Sequence, residues 1–218
     1  MVITYNLRPT TYYLKMKIIC IGRNYTDHIS ELQNEKPTAP VIFLKPDTAI
    51  LLKKFPFVIP AFSNDVHHEV EILVKICKVG KYISPKFAHK YYDQIGLGID
   101  FTARDVQNEL KAKGLPWEKA KAFDGSALIG EFVQKESFES LENINFELHS
   151  NNKVVQQGNT GLMLWKIDEL ISYVSQYFTL KKGDVIFTGT PKGVSQVKNG
   201  DELKGFIEGK QVFKIQVK

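Results

Sequence analysis

Cysteine is scarce in this chain: 218 residues contain two, Cys20 and Cys77, each inside an apolar, strand-like run. Without a CxxC pair, neither zinc binding nor thiol redox chemistry has support, and two buried thiols fit a reducing cytosol. Long apolar runs are also missing, so no segment reaches the length of a membrane helix. The opening MVITYNLRPTTYYLK lacks the basic-then-apolar pattern and the cleavage site of a secretory signal. Together these absences point to a cytoplasmic protein with no membrane partner. There is no basic arm either. The formal charge of +5 comes from 29 basic and 24 acidic residues with the lysines scattered along the chain, which gives little support to a nucleic-acid partner. A modest positive field suits a small anionic substrate, although a solvated lysine-rich surface explains the same number. GLGID lacks the third glycine of a dinucleotide fingerprint, and TGTPKG lacks the GxxxxGK[ST] spacing of a phosphate loop, so nucleotide cofactors are not implied.

What the chain does contain is an ordinary globular composition, with 24% charged and 43% apolar residues, enough for one substantial core. Met16 opens the first clean strand, so residues 1–15 read as a poorly ordered extension or the product of an upstream start codon, and 16–218 as a single domain. Lys17 to Ile21 reads as a buried strand and Gly22 as a turn, with Asn24 or Thr26 capping a short polar helix through Glu35. Five prolines between Pro37 and Pro60 break the next region into short extended pieces. Val66–Ile76 and Gln94–Ile99 read as strands, and Ser84–Tyr92 as a helix. Thr102 with Asp105 resembles a capping box for a helix to about Lys113, and the stretch after Gly114 reads as a long loop. The second half alternates strands with Asn and Gly turns around one helix, Leu164–Phe178. The fold class expected is α+β, mainly β, with a few helices packed outside.

The chemistry concentrates in carboxylates. Glu69 and Glu71 in HHEVEILVKI are spaced by two, so on a strand they share a face while Val70, Ile72 and Val74 take the other. Asp100, closing IGLGID, could converge on them. Three carboxylates with no fixed Lys or Arg between them call for a hard divalent cation, Mg²⁺ first. The plain alternative is the solvated face of an amphipathic strand. His67 and His68 beside Glu69 offer a zinc alternative, but adjacent strand residues face opposite ways and no HExxH or Cys/His set accompanies them. His28 and Glu31 lie three apart on the candidate helix, where a carboxylate can orient an imidazole as a general base; surface decoration is the plain reading of such a pair.

In order along the chain, GRNYTDH, FLKP, HHEVEILVKI, GIDFTARDVQ, KGLPWEKAKAFDGSALIG, QGNTGLML and GDVIFTGTPKGV resemble the fumarylacetoacetate hydrolase family, and within it the single-domain acylpyruvate hydrolase and oxaloacetate decarboxylase branch. The resemblance implies a mixed β-roll, a homodimer, and Mg²⁺ or Mn²⁺ held by Glu69, Glu71 and Asp100. It makes His28 the water-activating base and Glu31 its orienting partner on a lid. Arg23, Arg104, Gln107 and Thr190 would bind the substrate, and Lys121 would stabilise a developing enolate. The activity implied is cleavage of acylpyruvates to pyruvate and a carboxylic acid, with oxaloacetate decarboxylation or keto–enol tautomerisation as the alternative. Gly161 stands where the family motif leads one to expect serine, so any hydroxyl contact there is lost.

Overall fold

The computed structural model describes residues 16–26, 37–52 and 54–218. The expected extension at 1–15, the polar helix through Glu35, and the His28–Glu31 pair lie outside these residues. Strands dominate, as expected. A mixed seven-stranded sheet has the order β2-β1-β11-β5-β6-β8-β3, where β1 is Ile18–Gly22, β2 Val41–Lys45, β3 Ile50–Leu51, β5 Val70–Ile76, β6 Tyr92–Asp100, β8 Ala127–Gln134 and β11 Val185–Phe187. Its β1/β11 and β3/β8 pairs are parallel. A four-stranded sheet runs β10-β9-β13-β14, from β9 Asn145–Ser150, β10 Lys153–Asn159, β13 Glu202–Ile207 and β14 Lys210–Gln216. Three short strands, β4 Val66–His68, β7 Thr102–Ala103 and β12 Ser195–Gln196, form a third sheet. The helices α1 Pro85–Ala88, α2 Arg104–Ala112, α3 Glu118–Lys121 and α4 Ile167–Tyr177 flank the sheets.

The period-two pattern of the strands sorts residues into two cores. Even positions of β5 (Val70, Ile72, Val74, Ile76) and odd positions of β6 (Ile95, Leu97, Ile99) enter the main core with the four-stranded sheet and α4. From α4, Ile167, Leu170, Ile171 and Val174 are buried in it at i, i+3, i+4 and i+7. Each such aliphatic side chain contributes roughly 1.5–3 kcal/mol on full burial. The opposite face of the large sheet holds a small cluster in which Leu73 meets Ile18, Cys20, Ala127 and Phe187. Glu71 and Asp100 share the alternation of Leu73 and of Gly98, so they belong to this second face. Gly98 lets the strands close up there: a Cβ on it would sit 2.3 Å from the Leu128 carbonyl oxygen and 2.9 Å from Leu73 Cδ1.

Several local expectations shift. The helix expected over Ser84–Tyr92 is one turn, α1, because Tyr92 already begins β6 and pairs with Ile76. The Thr102 cap is not formed: the residue before α2 is Ala103, without a side-chain cap, and Thr102 belongs to β7. The long loop after Gly114 contains α3 and the start of β8. Gly22 ends β1, and the chain turns at Arg23, which has φ 60°. The turn at Asn151–Asn152 is as expected, both residues having positive φ, 51° and 65°, as a two-residue hairpin requires.

Candidate active site

The strand register brings the carboxylates together. Asp100 N–H donates to the Glu69 carbonyl at 2.9 Å, so the two residues stand opposite one another where β6 meets the start of β5, and Glu71 pairs with Gly98 one step along the same face. Directly opposed and diagonal side chains on one face of an antiparallel pair are within reach of each other. Glu69, Glu71 and Asp100 are all buried, and each offers an oxygen within 4.8 Å of the others.

Contrary to the sequence-based expectation, fixed cations sit among these carboxylates. Lys121, buried at the end of α3, donates to Glu69 Oε2 at 2.7 Å, Asp100 Oδ2 at 2.7 Å and Thr102 Oγ1 at 2.6 Å. Arg104, first residue of α2, pairs with Glu69 Oε1 and donates to Gln107 Oε1 at 2.5 Å. Lys45, ending β2, lies 2.7 Å from Asp100 Oδ1 and also donates to the Lys121 carbonyl. This network is a liability when incomplete, because removing one partner of a buried pair strands the other.

The three carboxylates remain a fit for a divalent ion. Asp100 Oδ1 is buried without an aligned hydrogen-bond donor. Glu71 is bonded by one donor among the described residues, the Gly189 N–H at 2.7 Å. Burial, then the charges of Asp100 and Glu69, push the Glu71 carboxyl well above the usual carboxylate range. Converging, all-oxygen ligands, one carboxylate oxygen of Asp100 among them without an aligned donor, suit Mg²⁺ or Mn²⁺. For Lys121, burial works against the charged form, but Asp100 and Glu69 outweigh it and the net shift is upward, so the side chain is an ammonium.

The surrounding pocket is lined by Arg23, Phe43, Arg104, Gln107, Lys111, Trp117, Lys121 and Thr190 along with the carboxylates. Every substrate contact expected from the motifs, Arg23, Arg104, Gln107 and Thr190, therefore lies on its wall. The hydroxyl of Thr190 accepts from Gln156 Nε2 at 2.9 Å and donates to the Val70 carbonyl at 2.9 Å. Gln156 Oε1 in turn bonds His68 Nδ1 at 2.9 Å and accepts from the Val70 N–H at 3.0 Å. Since that oxygen can only accept, His68 carries its proton on Nδ1, and its Nε2 accepts from Ser195 Oγ at 2.8 Å. His68 is thus spent on scaffolding, and burial lowers its pKa. Among the described residues, the carboxylate triad is the one group with metal-ligand geometry.

Lys45, Lys111, Phe43 and Trp117 were not singled out by the sequence. A signal existed for two of them: alternation in VIFLK puts Phe43 and Lys45 on one face.

Buried carboxylates and cations thus line one pocket on a mainly β scaffold, and comparison gives the class. Residues 17–218 match the family model described as fumarylacetoacetate (FAA) hydrolase C-terminal, and the chain belongs to that family. A mitochondrial oxaloacetate tautomerase of Bos taurus is 44% identical over 200 residues, covering 92% of this chain and 90% of that protein. The oxaloacetate tautomerase YcgM of Escherichia coli is 41% identical over 198 residues, covering 90% of each. Among solved structures, a fumarylpyruvate hydrolase from Pseudomonas aeruginosa in complex with Mn²⁺ and pyruvate superimposes with a TM-score of 0.87 at 30% identity, covering 92% of this chain and 88% of that one. No helix among the described residues is long and apolar enough to cross a membrane.

Proposed function

We propose that this protein interconverts the keto and enol forms of a 2-keto acid of the oxaloacetate type. The observation that carries the reading is the Lys121 ammonium, held in the pocket by Glu69, Asp100 and Thr102 and flanked by Arg104. In a keto–enol exchange, negative charge develops on the C2 oxygen as the C3 proton leaves. A preorganised, buried cation stabilises that charge without reorganisation at the moment of reaction. Lys121, which already donates three hydrogen bonds in the pocket, acts as hydrogen-bond donor to the C2 oxygen. Arg104 and Gln107, one helical turn apart, orient the C1 carboxylate. The proton at C3 then goes to a separate base, the role assigned to His28 with Glu31 as its orienting partner. Mg²⁺ or Mn²⁺ held by Glu69, Glu71 and Asp100 would polarise the keto group of a bound 2-keto acid. The oxaloacetate tautomerases at 41–44% identity support the substrate choice.

Acylpyruvate hydrolysis is the second reading, favoured by the match to the P. aeruginosa hydrolase and by a His28–Glu31 pair suited to activating water. One assay separates the two. Purified protein with Mg²⁺ is given enol-enriched oxaloacetate and, separately, acetylpyruvate, with Glu71→Ala as the metal-site control. Accelerated decay of the enol absorbance without CO₂ release is expected. Preferential conversion of acetylpyruvate to acetate and pyruvate overturns the proposal, and stoichiometric CO₂ from oxaloacetate makes decarboxylation the activity.

A further inference from the structure

Three side chains on one face of α2 line the pocket in a row: Arg104, Gln107 and Lys111, at i, i+3 and i+7. The first two belong to the proximal end, where Arg104 is paired with Glu69. Lys111 lies further along, its ammonium 5.7 Å from the centre of the Trp117 ring, which in turn packs against Phe43 with centroids 6.0 Å apart. Arg23 reaches the same pocket from the left-handed turn after β1. Among the described residues the pocket's ion pairs are made by Lys45, Arg104 and Lys121, and none engages Arg23 or Lys111.

These two cations thus have no carboxylate partner among the described residues. A half-buried lysine costs free energy to keep charged, and burial followed by the fields of Arg104 and Arg23 pushes Lys111 down to about 8. An anion brought to it relieves both costs at once. The proximal carboxylate of a 2-keto acid is already served by Arg104, Gln107 and the metal-binding end. The relief must come from a second anionic group on the same ligand.

We infer that Lys111, assisted by Arg23, forms a distal carboxylate subsite that makes this pocket selective for 2-keto dicarboxylates over 2-keto monocarboxylates of the same length. The inference rests on the reading of the pocket as a 2-keto acid site. A charge-assisted hydrogen bond from Lys111 is expected to favour the dicarboxylate by about tenfold or more. The apolar Phe43–Trp117 wall beside it offers an uncharged acyl tail packing but no charge pairing, so selectivity comes from the distal group alone.

The test is calorimetric binding to the Mg²⁺-loaded full chain of oxaloacetate and of 2-oxobutanoate, which has the same carbon count and one carboxylate fewer, for wild type, Lys111→Met and Lys111→Arg. Lys111 is half-buried on a helix face, so both variants keep the fold, checked by thermal unfolding. Expected is at least tenfold tighter binding of oxaloacetate by wild type, loss of that margin in Lys111→Met with less than about a threefold change for 2-oxobutanoate, and its retention in Lys111→Arg. Equal weakening of both ligands in Lys111→Met, or no change in either, overturns the subsite. Turnover is scored separately: Lys111-dependent binding without keto–enol exchange keeps the subsite and removes the proposed function. Exchange without Lys111-dependent binding does the reverse, and absence of oxaloacetate binding to wild type removes both.

Discussion

Replacing Glu71 by glutamine keeps the side chain's shape and its acceptance of the Gly189 N–H, while removing one buried negative charge and one candidate metal ligand. Burial and the neighbouring Asp100 and Glu69 hold the Glu71 carboxyl well above its ordinary range. An acid with a folded pKa above its unfolded one binds more protons when folded. Its penalty is absent below the unfolded pKa and grows as pH rises toward and through the folded value. Metal-free wild type should therefore lose stability with rising pH relative to Glu71→Gln. A divalent ion reverses the ranking. At a hundredfold excess over its Kd it adds about 2.7 kcal/mol, about 5–11 °C in Tm for a chain of this size. If the substitution weakens the ion a hundredfold, the same concentration adds only about 0.4 kcal/mol. The assay is thermal unfolding by circular dichroism from mildly acidic to mildly alkaline pH, first with chelator and then with Mg²⁺ or Mn²⁺. Equal metal-free stabilities together with an undiminished metal-induced rise would refute both the electrostatics and the ligand assignment.

Lys121→Met should lower kcat on oxaloacetate by about a hundredfold or more while the protein still binds Mn²⁺ by calorimetry, since what is lost is charge stabilisation in the transition state. The preference for oxaloacetate over 2-oxobutanoate should fall several-fold between neutral pH and pH values well above about 8, as Lys111 gives up its proton. In Lys111→Arg that ratio should stay flat, because arginine does not deprotonate in this range. Gly189→Ala should lower Tm by about 3–10 °C. The residue has φ +100°, and an added Cβ would lie 2.7 Å from Asn24 Cβ. The same change displaces the N–H on Glu71, so the metal-induced rise in Tm should shrink as well.

The triad was legible because period-two alternation is a one-dimensional signal, although the strand expected over Val66–Ile76 breaks at Glu69, which stays beside Asp100 through the Asp100 N–H bond to its carbonyl. Asp100 needed only a strand end and a partner. The cations were not legible in the same way. Lys121 comes from a one-turn helix in a stretch without period, and Arg104 approaches from the start of α2. Their convergence on Glu69 and Asp100 depends on tertiary placement, and the Lys121 role came from family motifs, with no indication of the bridge it makes. Lys45 lies in the run FLKP, but a lysine closing an apolar strand reads as a solvated end until β2 is seen beside β1. Thr102 was misread as a cap because a hydroxyl before a helix has two uses, and here it accepts from Lys121. At Ser84–Tyr92 the helical pattern lost to cross-strand pairing, which claims Tyr92 for β6.

The parallel pairing of β1 with β11 joins residues 167 positions apart, with the Lys17 N–H on Asp184 Oδ1. The antiparallel β5 and β6, and hence all three carboxylates, emerge from the ribosome long before β11 does. The nascent chain carries the carboxylates and their partners Lys45, Arg104 and Lys121 before the closing pieces of the site, the Gly189 N–H and the Thr190 wall, are made. Chaperone engagement or early capture of a divalent ion at that half-built hairpin would thus bear on the yield of folded protein in the cell, in a way that refolding of the finished chain would not report.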